Sequence, residues 1–181
     1  AGPHRVEDHG TLSARRDNVI LYPTSYGAHH TDIEWLVDVR HCLDPSRYFI
    51  VIPNMLTNGL SSSPSNTPDF PEVTTYDNVM LQRQMLLELF GIDRLKLVYG
   101  WSMGAQQAYH WGALFGEAVE RIVVNCGSAR TAPHNFVFLE GIRTTLEAAA
   151  TPQLGLRAMG RIYAGWALSQ TFYRRELWRG L

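Results

Sequence analysis

Gly100-Trp101-Ser102-Met103-Gly104 sets a serine between two glycines, after the apolar run Leu95-Lys96-Leu97-Val98-Tyr99 and before Ala105-Gln106-Gln107-Ala108-Tyr109. Such a segment suits nucleophilic acyl transfer, because a serine at a tight strand-to-helix bend exposes its Oγ for attack on a carbonyl carbon. A Cβ at either glycine would crowd the turn where strand and helix nearly touch. The pentapeptide alone is common; its place between a strand and a helix makes it a nucleophile elbow. The oxyanion formed by attack needs donors aimed at it, each contributing roughly 10²–10³ in rate. The Met103 N–H, first in the following helix, is one candidate and gains from the helix dipole. The second is expected from Thr24-Ser25-Tyr26-Gly27, the loop after the strand ending at Tyr22. Ser25 is favoured there by motif position over its neighbours, the alternative being a simple turn.

The proton acceptor is harder to find. With this elbow the triad partners follow in the order Ser, then Asp or Glu, then His. After Ser102 the sequence has no aspartate, the last being Asp93, and its only histidines are His110 and His134. His110 lies two helical turns along the elbow's own helix and points away from the bend. His134 would need an acid between residues 102 and 134, where Glu117 and Glu120 fall at the helix's far end. Both histidines read as ordinary surface or core residues, so the triad is incomplete within this sequence. His29-His30 has no carboxylate or cysteine at metal spacing, and no metal site is expected.

The elements that must position these residues are legible in outline. Asn18–Tyr22 and Arg47–Ile52 are apolar runs too short for helices, stopped by Pro23 and Pro53, and read as buried strands. Between them, residues 29–43 carry Ile33, Leu36, Val37 and Val39 at helical spacing. Residues 61–68 form a small-residue loop. Thr74-Thr75-Tyr76-Asp77 predicts a capping box for a helix that runs to Phe90 and ends at Gly91. Strand 95–99, the elbow, helix 103–115 and strand 121–126 follow. Four near-continuous apolar strands alternating with helices predict an α/β fold, with a mostly parallel sheet covered by helices on both faces. From about Phe136 onward the sequence reads as helical and aromatic.

Composition narrows the class. The chain of 181 residues is 45% apolar and 18% charged, which suits a soluble globular domain rather than a disordered one. A net charge of −1 gives no electrostatic reason to expect nucleic acid or a membrane surface as partner. No apolar run approaches the roughly 20 residues of a membrane-spanning helix. The chain opens on alanine and lacks a signal-peptide core, which reads as processing or an excerpt. Cys42 and Cys126 are too few for a disulfide framework, and the expected compartment is cytoplasmic.

With these residues in hand, the chain resembles the homoserine O-acetyltransferase family of the α/β-hydrolase superfamily. The likeness is carried by His9-Gly10-Thr11-Leu12, by Leu43 to Phe49 leading into Ile52-Pro53-Asn54-Met55, and by Phe70 to Thr74. Ser102-Met103-Gly104 and Ser128 to Asn135 complete it. The resemblance implies an α/β-hydrolase core over residues 1–135 and a helical lid segment over 136–181, with the strands that carry the acid and base lying later. It implies a ping-pong transfer from acetyl-CoA or another acyl-CoA, as co-substrate, through an acyl-Ser102 to a small hydroxyl acceptor. No cofactor is bound in such a mechanism. A lid arginine holds the acceptor's carboxylate in that family, and Arg161 is the nearest positional match; the alternative is a solvated lid residue. Trp101 and Ala105 stand where the family's acetyltransferases commonly have glycine, which resembles a divergent branch.

Two rivals stay open on the sequence: a serine ester hydrolase, in which water replaces the acceptor, and a catalytically silent paralogue or partner subunit. A homodimer through the lid, or a partner chain bringing the missing Asp and His, would complete the site.

Overall fold

The computed structural model describes residues 4–180. In chain order the first unit, residues 1–129, holds β1 (Val6–His9), β2 (Val19–Leu21), α1 (His30–Ile33), β3 (Phe49–Pro53), α2 (Thr75–Phe90), β4 (Leu97–Trp101), α3 (Met103–Leu114) and β5 (Ile122–Asn125). The second unit, residues 130–181, holds α4 (Pro133–Glu147), α5 (Pro152–Ala167) and α6 (Gln170–Arg174).

The first unit is built on a five-stranded sheet in the order β1-β3-β2-β4-β5. β1 runs antiparallel to β3 and every other pairing is parallel. In β2 and β3 the alternation of side chains buries both faces. Val19, Leu21, Phe49 and Val51 face a core with Val79 and Leu86 of α2 and Ala108 and Trp111 of α3. Ile20, Tyr22, Ile50 and Ile52 face the other way, against Leu43, Ile33, Leu36 and Val37. Burying each large aliphatic side chain contributes about 1.5–3 kcal/mol, and those of β2 and β3 are almost wholly buried. The cap read from the sequence is present: the Thr74 side chain accepts from the Asp77 N–H, Asp77 accepts from the Thr74 N–H, and Gly91 ends α2 with φ of 62°.

One expectation is corrected. Residues 29–43 are not one helix: after the four residues of α1 comes a 3₁₀ turn over Glu34–Leu36. The Asp38 carboxylate accepts from the Arg40 N–H and guanidinium, an alternative to helical bonding that leaves Val39 65% exposed. β5 is the outer strand of the sheet, and its Ile122 and Val123 are exposed. β1 adds a strand that the polar Val6-Glu7-Asp8-His9 did not announce; it is an edge strand, fixed by backbone pairing from Val6 with Pro53 to His9 with Ile50.

The second unit is helical throughout its named elements, with Phe138 stacked on Trp166 (centroids 4.4 Å apart) tying α4 to α5. The Thr151 and Ser169 side chains cap α5 and α6. Among the described residues no helix is long and apolar enough to cross a membrane.

Candidate active site

The sheet order creates the place for a site. From β2 the chain crosses to β3 on one side and then returns to β4 on the other, so the loops leaving β2 and β4 diverge from neighbouring strand ends. A crevice at such a switch point is where open parallel sheets bind ligands. β4 delivers Ser102 there, and β2 delivers the loop from Tyr22 to Gly27.

Ser102 has φ of 53° and ψ of −118°, a conformation in which a non-glycine residue stores on the order of 1–3 kcal/mol. The fold holds it from both sides. Its N–H donates to the Asn125 carbonyl of β5 (2.8 Å), and its own carbonyl accepts from Ala105 (3.0 Å) and Gln106 (3.2 Å) in α3. A Cβ on Gly100 would overlap the Gly104 carbonyl and the Ala105 backbone, so only glycine lets strand and helix meet there. Ala105 is accommodated by Gly127: a Cβ at 127 would overlap the Ala105 methyl.

The loop after β2 is pinned against this elbow. Gly104 lies against the Pro23 and Thr24 carbonyls. Thr24 donates its N–H to the Pro53 carbonyl (3.2 Å), and its Oγ1 accepts from the Met55 N–H (2.8 Å). Its carbonyl accepts from Gln107 Nε2 (3.0 Å). That amide belongs to a buried chain: Trp111 Nε1 donates to Gln82 Oε1 (2.9 Å), and Gln82 Nε2 donates to Gln107 Oε1 (2.6 Å). Thr24's N–H is thus committed to the sheet. Among the described residues the N–H groups of Ser25 and Met103 have no acceptor, which leaves both available to an oxyanion.

Two cavities, each of about 290 Å³, flank these two donors. One, beside Ser25, is walled by Tyr22, Ile33, Trp35 and Trp101. The other, beside Met103, is lined by polar groups including Thr74, Asn78 and Gln107. Burial, with the nearby Tyr99, pushes the Tyr22 phenol well above its ordinary pKa, so it stays neutral.

The remaining candidates lie elsewhere. His110 Nδ1 is bonded to the Gln106 carbonyl within α3 (3.1 Å), and Glu120 pairs with Lys96 (2.8 Å). His29 and His30 contact Asn58 and Asn54. Among the described residues of the first unit, no histidine hydrogen-bonds Ser102. His134 is exposed in the first turn of α4, and Arg161 is exposed on α5, both in the second unit. Among the described residues no group of three or more His, Cys, Asp or Glu could hold a metal ion.

Sequence reasoning missed Gly127, Thr24 and the glutamine chain. A signal for the last was present: Gln82 falls in helical phase with Val79, Met85 and Leu86, and Gln107 with Ala108 and Trp111, so each sits on an apolar face.

A family model described as the alpha/beta hydrolase fold matches residues 18–160. A probable esterase of Corynebacterium glutamicum is 38% identical over 191 residues, covering 95% of this chain and 55% of the relative. An ethyl acetate hydrolase of Pseudomonas veronii is 39% identical over 168 residues, covering 88% and 48%. The solved structure of the acetyl esterase MekB superposes with a TM-score of 0.91 at 34% identity, over 98% of this chain and 56% of that one. Homoserine O-acetyltransferases match over less of the chain: that of Cyclobacterium marinum at 31% identity over 78% of this chain and 44% of the relative, and that of Chlorobium luteolum at 40% identity over 60% and 34%. The chain spans about half the length of the curated relatives it matches.

Proposed function

The chain belongs to the α/β-hydrolase fold family, and we propose that its protein is a serine hydrolase of short carboxylic esters, with acetyl esters the first class to test. In this reading Ser102 Oγ attacks the ester carbonyl carbon. The carbonyl electron pair moves onto oxygen, and the resulting oxyanion is held by the N–H groups of Met103 and Ser25. Collapse expels the alkoxide, which leaves as the alcohol with the proton taken from Ser102. Water then attacks the acyl-Ser102, again through an oxyanion in the same two N–H groups, and releases the acid. The base that moves these protons, and the acid that orients it, are assigned to residues outside those described.

The observation that favours the esterase reading over acyl transfer is how much of the chain each likeness covers: two ester hydrolases match at 38% and 39% identity over 95% and 88% of it, against 78% for the acetyltransferase of Cyclobacterium marinum at 31% identity and 60% for that of Chlorobium luteolum at 40%. An ester hydrolase needs no acyl-CoA. The test is acid release from ethyl acetate by the full-length protein, with and without acetyl-CoA and homoserine. Hydrolysis independent of both supports the proposal, whereas acetyl transfer to homoserine without ester hydrolysis overturns it.

A further inference from the structure

We infer that the cavity beside Ser25 is the pocket for a short, uncharged alkyl arm of the ester, its depth set by Trp101 and Trp35 and its selectivity against anions by Asp32. The inference rests on the esterase reading and narrows its substrate class. Trp101 is the last residue of β4 and immediately precedes Ser102, so its backbone is held at the entry to the strained bend. Trp35 stands across the cavity on the 3₁₀ turn after α1. Both indoles are left substantially exposed, 44% and 58%, although tryptophan is ordinarily well buried. An alkyl group between them would cover apolar surface that nothing else in the first unit covers.

Charge points the same way. Of the cavity's lining residues Asp32 alone carries an ionisable carboxylate, and none is Lys, Arg or His. The Asp32 carboxylate is held in place by accepting the His29 N–H (2.8 Å) at the start of α1. A substrate arm bearing its own carboxylate would meet a fixed like charge there and no cation to pair with. The volume of about 290 Å³ lies at the small end for ligand pockets, which suits an arm of a few carbons.

Either arm of the ester could be the one bound, so the experiment varies them separately in the full-length protein. Acetate esters of ethyl to hexyl alcohols form one series, and ethyl esters of acetic to hexanoic acids the other. In the series whose arm enters the pocket, kcat/KM rises about fourfold per methylene until the pocket is filled. Trp101→Ala and, independently, Trp35→Leu move that optimum to longer chains and leave the other series unmoved. Two sites on different elements guard against one variant failing to fold. Asp32→Asn keeps an oxygen acceptor for His29 and raises by about tenfold the rate on the ester whose entering arm bears a carboxylate, monoethyl succinate relative to ethyl butyrate for the acyl arm or 4-acetoxybutanoate relative to butyl acetate for the alcohol arm. Optima unmoved by both tryptophan variants, or moved equally in both series, overturn the pocket while leaving the esterase reading intact.

Labelling of Ser102 by ethyl to hexyl fluorophosphonates, read by intact mass in the full-length protein, needs the activated nucleophile but no attack of water on an acyl-enzyme. If no ester is hydrolysed but this labelling keeps a chain-length optimum that shifts in Trp101→Ala, the esterase reading falls and the pocket stands. Absence of both hydrolysis and labelling overturns both.

Discussion

Replacing Gln107 with leucine separates a merely stable core from one that holds the site in place. Its Nε2 donates to the Thr24 carbonyl at 3.0 Å and its Oε1 accepts from Gln82 Nε2 at 2.6 Å, in a region where both glutamines are at most 1% exposed. Leucine leaves the Thr24 carbonyl and the Gln82 amide without those partners and out of reach of bulk water. Each orphaned group costs about 1–3 kcal/mol, so the loss is about 2–6 kcal/mol before the gain from apolar burial. Leucine recovers about 1–2 kcal/mol of that, leaving a net destabilisation centred on about 2.5 kcal/mol against a typical total of about 5–15. Urea denaturation should show a lower midpoint with an unchanged slope.

The functional consequence is specific, because Thr24 is the residue before Ser25. Freed from Gln107, the loop no longer fixes the Ser25 N–H, and kcat for ester hydrolysis should fall about tenfold with little change in KM. Gln82→Leu serves as the comparison. It orphans Trp111 Nε1 and Gln107 Oε1, at a similar cost in stability, yet retains the bond to Thr24 and should spare kcat. A Gln107→Leu midpoint within about 0.5 kcal/mol of the parent would refute the energetic argument. Equal losses of kcat in the two variants would refute the positioning role.

Gly127→Ala should destabilise the protein by about 1–3 kcal/mol through its overlap with the Ala105 methyl. Adding Ala105→Gly should restore part of that loss; thermal midpoints that fail to recover in the double variant would contradict the packing account. Burial holds the His4 imidazole below its ordinary pKa of 6.5, so the unfolded chain binds its proton more readily. Stability therefore rises with pH from the lowered value up to 6.5, and is lost as the solution is acidified below 6.5. Urea midpoints from about pH 5 to about pH 8 should flatten in His4→Asn, and an unaltered profile would reject this origin for the pH dependence.

Much of this was legible because each signal was local. Ser102 with Gly100 and Gly104 announces its own geometry, and Thr74, Asp77 and Gly91 announce both ends of α2. The short apolar runs at Val19–Leu21 and Phe49–Pro53 announce strands buried on both faces. What was not legible depends on contacts between distant segments. Gly127 is recognisable as a packing glycine only once β5 lies beside β4 and α3. Thr24 is excluded as an oxyanion donor only once its N–H is seen bonded to Pro53. The helical spacing of Ile33, Leu36 and Val37 was real, but those side chains reach the core from a short helix and a 3₁₀ turn broken by Asp38. No local pattern says which residue takes the proton of Ser102, because in this fold the nucleophile's partners come from segments remote in sequence.

The central claim, that Ser102 is the nucleophile of an ester hydrolase, is tested most directly by trapping the acyl-enzyme. The full-length protein is mixed with 4-nitrophenyl acetate, quenched in acid before steady state, and digested for peptide mass analysis. The account predicts one acetyl group on the peptide containing Ser102, and neither acetylation nor ester turnover in Ser102→Ala. Turnover retained by Ser102→Ala, or an acetyl group on another residue, would contradict it.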